Sequence, residues 1–324
     1  MRTASAPGKV ILCGEYAVLD GAPAIGMAIN RRAIVSLSPS CDELHRVVAP
    51  GYVKSEGKFR SLTDGIEWLQ GKEKFGIVDA VWQSARIKSD VAYMIVLDTS
   101  EFIDEPTHTK FGIGSSAALT VALTLALTDG GKLSCGASRA HAAMQGGAGS
   151  GVDIACSVYG GLIEYRMEGA KTKSLHWPES LAYRLLWSGV ATSTAAKLAI
   201  LQAGDSKPSR VRLHDAAETM AQAWRSGVAD NVVAGYREYI EALRSFSVDH
   251  DLGVFDAGHG QLADAASKVG VVYKPCGAGG GDVGILLGTD EAELDAFVKS
   301  EAAAAYSLLR CDIDPSGARM EKLE

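Results

Sequence analysis

Proline is scarce in this sequence, basic clusters are missing, and no apolar run is long enough to cross a bilayer. Only 9 prolines occur in 324 residues, while glycine reaches 36, about 11% against a usual ~7%. Glycine excess without proline is not a signature of disorder, so the position of the glycines becomes the question. Lys and Arg total 32 against 39 Asp and Glu, a net charge of −7. An acidic chain without a basic run is a poor partner for nucleic acid or an anionic membrane. The longest apolar run, Ala117 to Leu127, falls short of a membrane span and contains two threonines. The six cysteines are widely separated with no C-x-x-C pair, which fits reduced thiols better than a disulfide frame or a zinc site. Lys9 and Glu15 interrupt the first apolar stretch, so no secretory signal is expected. These absences together predict a cytoplasmic protein with neither nucleic acid nor a membrane as partner. Its oligomeric state is open, a homodimer included.

The chain reads as mixed α and β. Short apolar runs at Lys9 to Cys13, Ala24 to Ile29, Ala33 to Leu37 and Ala92 to Leu97 suggest strands, with Arg31-Arg32 separating the second from the third. Helical spacing marks Phe75 to Ile87. Ser115 opens a strong helix to about Thr128, and further helices are expected at Ser138 to Gln145 and Val152 to Val158. A strand at Leu162 to Tyr165 precedes a polar stretch, Gly169 to Pro178, which is the expected boundary between units 1–170 and 171–324. The second unit carries a strand at Arg184 to Trp187 and helices at Thr194 to Ala203, Arg210 to Arg225, Asn231 to Phe246 and Asp256 to Lys268. Strands at Val271 to Lys274 and Val283 to Leu287 and a helix from Glu291 complete it.

Many glycines gather in three tracts: Gly112-Ile-Gly114, Gly146 to Gly151 and Gly277 to Gly281. The first stands directly before a helix, where bare backbone and the helix N-terminus form an anion site. Ser115 and Ser116 there can cap the helix, bind a phosphate oxygen or hold Mg²⁺. The spacing is not that of a Walker A loop, and read alone the tract is as well explained by a plain N-cap. The second tract ends at Asp153, which either complements a helix dipole or projects a carboxylate into a cleft. The third, Gly277-Ala-Gly-Gly-Gly-Asp282, is richer in small residues than a turn requires.

Taken in order, the tracts carry a resemblance. Ala6-Pro-Gly-Lys-Val-Ile-Leu-Cys-Gly-Glu15-Tyr-Ala-Val resembles the first motif of the GHMP kinases (galacto-, homoserine, mevalonate and phosphomevalonate kinases). Gly112-Ile-Gly-Ser-Ser-Ala-Ala resembles their phosphate-binding second motif, and Gly277 to Asp282 their third. His141 to Gln145 leading into Gly149-Ser-Gly-Val-Asp, and Trp187-Ser-Gly-Val-Ala-Thr-Ser-Thr194, are similar to the phosphomevalonate kinase branch. Mevalonate kinases carry a metal-binding glutamate about eleven residues before the aspartate, where this chain has Ala142.

The resemblance implies an α+β, two-lobed fold, with an N-terminal lobe like domain 2 of ribosomal protein S5 and a ferredoxin-like C-terminal lobe. It also implies ATP-dependent phosphorylation of 5-phosphomevalonate to 5-diphosphomevalonate. The alternatives are mevalonate or another small alcohol as acceptor, or a non-catalytic binding protein. By the same resemblance Lys9 and Asp153 are the catalytic pair. Lys110, Gly112, Gly114, Ser115, Ser116 and Ala117 would hold ATP phosphates, with Ser116 on Mg²⁺. Glu15, Tyr16, Ser150, Gly151, Ser193, Thr194, Gly279 and Gly280 would face the acceptor. Opposite charges ~4 Å apart attract by ~4 kcal/mol at an effective dielectric of ~20, which keeps Asp153 ionised beside Lys9. Such a carboxylate orients a hydroxyl more than it strips one. Lys197 is read as a further anion candidate, although a solvated surface lysine is the simpler expectation. His141 is expected to be a packed helix residue.

Overall fold

The apolar runs of the N-terminal third build one large sheet in the computed structural model, which describes residues 1–322 apart from 64, 129–132, 148 and 204–206. Its first strands are β1 (Arg2–Cys13), β2 (Ala24–Pro39), β3 (His45–Ala49), β4 (Val53–Leu62) and β5 (Gly65–Gln70). Helix α1 (Gly76–Ala85) and strand β6 (Tyr93–Asp98) follow, then a two-stranded ribbon, β7 (Ile103–Asp104) and β8 (Thr109–Lys110). Three helices come next: α2 (Ser115–Thr128), α3 (Leu133–Met144) and α4 (Val152–Tyr159). Strands β9 (Leu162–Arg166), β10 (Lys171–Leu175) and β11 (Ala182–Trp187) lead into α5 (Thr194–Ala203), α6 (Pro208–Ser226), α7 (Ala229–Asp249) and α8 (His259–Lys268). The chain ends with β12 (Val272–Pro275), β13 (Val283–Gly288), α9 (Glu291–Val298), β14 (Ser307–Leu309) and β15 (Arg319–Met320).

The large sheet runs β10-β9-β2-β6-β3-β4-β5, with β1 on β2 and β15 on β1. Strand β2 organises it. One edge pairs with β1 along most of its length, while the other pairs with β9 through Ala24–Met27 and with β6 through Ile34–Pro39. The two runs expected on either side of Arg31-Arg32 are thus one strand. The pairing shifts register between Pro7 and Gly8, so Asn30 and Arg31 bulge from β2 without ending it. A second sheet, β12-β13-β11-β14, is antiparallel throughout. Strand β10, from the expected boundary region, pairs with β9 in the large sheet, and the C-terminal β15 returns to β1.

Helices cover these sheets where their apolar stripes demand it. Helix α2 is rich in Ala and Leu, and nine of its residues from Ala117 to Ala126 are buried. Its threonines are tolerated because Thr120, Thr124 and Thr128 each donate their hydroxyl to the carbonyl four residues earlier. One core joins α1, α2 and α3 to the large sheet. Another links Val10, Leu12, Ile25 and Met27 of the large sheet to Leu185 and Ile285 of the second sheet and to α6 and α7. Helix α6 starts on Pro208 at its first position and stops at Gly227, whose φ of 67° takes the left-handed cap.

Candidate active site

Strand β1 delivers Lys9 to the first glycine tract. Its backbone N–H donates to the Ile113 carbonyl at 2.8 Å, which ties the strand to the loop Gly112–Gly114. The loop must be bare there. A Cβ on Gly114 would lie 2.9 Å from the Lys9 side chain, and Gly114 has φ +85°. The Lys9 ammonium reaches Asp153 Oδ1 at 3.4 Å. Burial alone would lower the Lys9 pKa, but Asp153, together with Cys156 and Asp282, more than offsets it and the net shift is upward, so the ammonium stays charged. Asp153 sits in the first turn of α4, which opens on Gly151 at φ 86°.

Lys9 and Asp153 face a cavity whose wall includes Glu15, Tyr16, Ser150, Gly151, Thr194 and Gly277. Ser150 accepts the Val152 N–H at 3.4 Å through its hydroxyl oxygen, which leaves its O–H free to donate. Tyr16 crosses from the first motif to the third, its O–H donating to the Ala278 carbonyl at 2.7 Å. Its backbone is held at φ 62°, ψ −47°, a conformation that costs a non-glycine residue energy and persists only where its surroundings enforce it. The enforcement comes from its neighbour. Glu15 is buried with one carboxylate oxygen on the Lys274 ammonium and the other accepting from Tyr239 O–H at 2.6 Å. The same Tyr239 oxygen accepts the Gly14 N–H at 2.8 Å. Glu15 therefore lines the cavity with its carboxylate already spoken for.

A second cavity lies at the start of α2. Lys110, Ser115 and Ser116 line it, with Lys74, Phe75 and Asp79 of the α1 region. Ser116 is exposed, and Ala117 is buried in the core beneath. The Lys110 ammonium stands 4.8 Å over the Tyr52 ring. Among the described residues no three His, Cys, Asp or Glu side chains cluster to hold a metal ion. A Mg²⁺ ion held here would therefore need ligands from outside the protein, with the exposed Ser116 hydroxyl as the protein oxygen available to it. That agrees with the way this hard, strongly hydrated cation is bound.

The third glycine tract is pinned from several sides. Asp282, at φ 56°, donates its N–H to the Val190 carbonyl at 2.6 Å and accepts Thr192 N–H on Oδ1 at 3.3 Å. Its side chain fills the space above Gly112, where a Cβ would stand 2.1 Å from Asp282 Cγ. Burial raises the Asp282 pKa against the lowering effects of Thr192 N–H, Lys9 and Lys197. From behind, the buried His259 bridges Tyr273 O–H at 2.8 Å and the Gly281 carbonyl at 3.0 Å. Gly279 and Gly280 press on Val254 and Lys197 and do not line either cavity. Ser193 is exposed and accepts the Ala196 N–H at 3.3 Å as a helix cap.

Several participants escaped the motif reading. Lys197 is not a solvated surface lysine: its ammonium donates to the carbonyls of Leu252 at 2.7 Å and Gly253 at 3.2 Å. His141 is packed, as expected of a helix residue, yet it also reaches the cavity of Lys9 and Asp153. Lys274 and Tyr239 gave no local signal, because their partner Glu15 lies more than two hundred residues away in sequence. Ala148 of the second glycine tract lies outside the described residues.

Comparison with known proteins adds the family context. Residues 79–161 match the family model for the GHMP kinases N terminal domain. A phosphomevalonate kinase of Streptomyces sp. (strain CL190) is 29% identical over 341 positions, covering 90% of this chain and 90% of its own. A mevalonate kinase of Methanothermobacter thermautotrophicus is 35% identical over 168 positions, covering 50% of this chain and 49% of its own. The solved structure of Streptococcus pneumoniae phosphomevalonate kinase in complex with phosphomevalonate and AMPPNP is similar at a TM-score of 0.78. The match covers 97% of this chain and all of that one at 17% identity, a likeness of fold.

Proposed function

We propose that this chain, which has the two-lobed GHMP kinase fold and carries a GHMP kinase N-terminal domain, is an ATP-dependent kinase of 5-phosphomevalonate that forms 5-diphosphomevalonate. The observation that carries the reading is the Lys9–Asp153 pair, 3.4 Å apart, with Lys9 packed against Gly114, next in sequence to Ser115 and Ser116 of the second cavity. The full-length likeness to a phosphomevalonate kinase favours that acceptor. The half-length match to a mevalonate kinase supports mevalonate as the second reading.

In this reading ATP occupies the cavity of Lys110, Ser115 and Ser116, with its phosphates along Gly112 to Ser116 and the N-terminus of α2. A divalent cation on Ser116 would neutralise phosphate charge. The acceptor lies beside Tyr16, Ser150 and Thr194. A phosphate monoester has its second pKa near ~6, so the attacking oxygen is ionised at neutral pH and needs no base. What it needs is relief from repulsion between two anions. Lys9 supplies this at the point of transfer, and Asp153 holds Lys9 on station. An alcohol acceptor would place a heavier demand on Asp153, since its proton must leave. We also propose a lobe division at residues 1–170 and 171–324, with β10 and β15 of the second segment returning to the first lobe's sheet, and a cytoplasmic enzyme.

The test is release of ADP from Mg-ATP over an acceptor panel that includes 5-phosphomevalonate, mevalonate, homoserine and galactose. The reading expects turnover fastest on 5-phosphomevalonate. ADP release on mevalonate alone would hand the assignment to the second reading.

A further inference from the structure

Helix α3 contributes a side chain to the acceptor cavity whose polar atoms have no job inside the protein. His141 is 5% exposed and lines the cavity of Lys9 and Asp153. Among the described residues its imidazole makes no hydrogen bond, although the buried His45 and His259 each make theirs. The ring opens on the cavity, where something from outside the protein, water or a ligand, meets its nitrogens. The wall around it shows what that something is. Its charged members are Lys9, Glu15 and Asp153, and each is already paired: Lys9 with Asp153, Glu15 with Lys274 and Tyr239. An incoming anion therefore finds no uncommitted cation among these side chains. The imidazole N–H is a cavity-facing donor that no protein group among the described residues takes up.

Its placement fits contact with the transferring centre. Burial lowers the His141 pKa, with Asp153 raising it and Lys9 lowering it, so both members of the pair are close enough to act on the ring. We propose that His141 is an acceptor-binding residue whose imidazole N–H donates a hydrogen bond to the phosphate of the acceptor, and so helps distinguish a phosphorylated acceptor from its unphosphorylated parent. This rests on the reading that the acceptor carries a phosphate. Lys9, held by Asp153, would then act on the same phosphate, with Ser150 O–H as a further donor in the same cavity.

The test compares wild type with His141→Leu and His141→Asn on 5-phosphomevalonate and on mevalonate, with ATP varied separately. A hydrogen bond to a charged group is worth about a tenfold to hundredfold change in binding. His141→Leu should raise the KM for 5-phosphomevalonate by about that factor, with ATP KM unchanged and any mevalonate KM barely moved. His141→Asn, which keeps an N–H donor, should recover part of the loss. An unchanged KM for 5-phosphomevalonate in His141→Leu overturns the inference and leaves the functional reading standing. Wild-type turnover of mevalonate alone sinks that reading, and the phosphate contact with it. Equal losses on both acceptors and on ATP would mark His141 as packing only and also overturn the inference. Should His141→Leu fail to fold, His141→Phe keeps the ring volume without the N–H and decides the same question.

Discussion

Two lysines, both buried, carry opposite assignments. Lys9 keeps its charge beside a partly open aspartate, facing the cavity. Lys274 spends its charge on Glu15 in a pair exposed by 0% and 2%. Their substitutions should separate accordingly. Lys9→Met should lower kcat by about 10²–10³ with nucleotide affinity retained, the usual cost of removing one charge-stabilising donor. For a phosphate acceptor, Asp153→Asn should be milder, since the attacking oxygen needs no base; steady-state kinetics with nucleotide binding by fluorescence checks both. Lys274→Met instead leaves the Glu15 carboxylate buried without its cation and should cost about 3–5 kcal/mol of stability. Adding Glu15→Gln removes the orphaned charge, so the double variant should unfold at higher denaturant than Lys274→Met alone. Equal midpoints for the single and double variants would show that the unpaired Glu15 charge is not what costs the stability.

At the scale of elements, the loops are shaped by contacts that leave no room for side chains. Gly112 sits under Asp282 at φ +78°. Gly112→Ala faces both a left-handed backbone and a Cβ contact of 2.1 Å, so it should destabilise by about 1–3 kcal/mol and weaken nucleotide binding together. Thermal melts with and without nucleotide would show both losses; an intact ligand-induced shift would count against the loop's role. Elements with strong apolar patterns were legible in the sequence: α2 spans the expected residues, and α5, β9 and β13 fall within a residue of their expected bounds. The strands β3, β4 and β5 were not, because β4 and β5 show polar side chains on both faces and bury few of them. The bulge in β2 also hid, since two arginines look like a loop until β1 is known to pair past them. Of the site, Lys9, Asp153 and Ser150 are brought together in one cavity. The roles of Lys197, Lys274 and His141 depend on chain segments that meet only in the fold, and motif spacing cannot encode them.

In the proposed reading, a chain of net charge −7 would take in anions by local means: bare backbone at a helix start, two cavities and a few placed donors. No helix among the described residues is long and apolar enough to cross a membrane. Stability should also respond to acid through buried imidazoles. Burial depresses His45 and His259 from an ordinary 6.5 to about 4. Between those values the unfolded chain binds protons that the folded one refuses, so stability present above pH 6.5 declines as pH falls toward 4. Urea unfolding from pH 7.5 to 4.5 should show that loss, and His259→Asn should flatten part of it; an identical slope in the variant would contradict the assignment.

The central claim is phosphoryl transfer onto an acceptor phosphate, and phosphorus NMR reads that bond directly. Purified protein incubated with Mg-ATP and 5-phosphomevalonate should convert the acceptor's single phosphomonoester resonance into the coupled pair of a diphosphate, matched one for one by ADP. A monoester signal that persists unchanged while the protein remains folded and able to bind nucleotide would contradict the account.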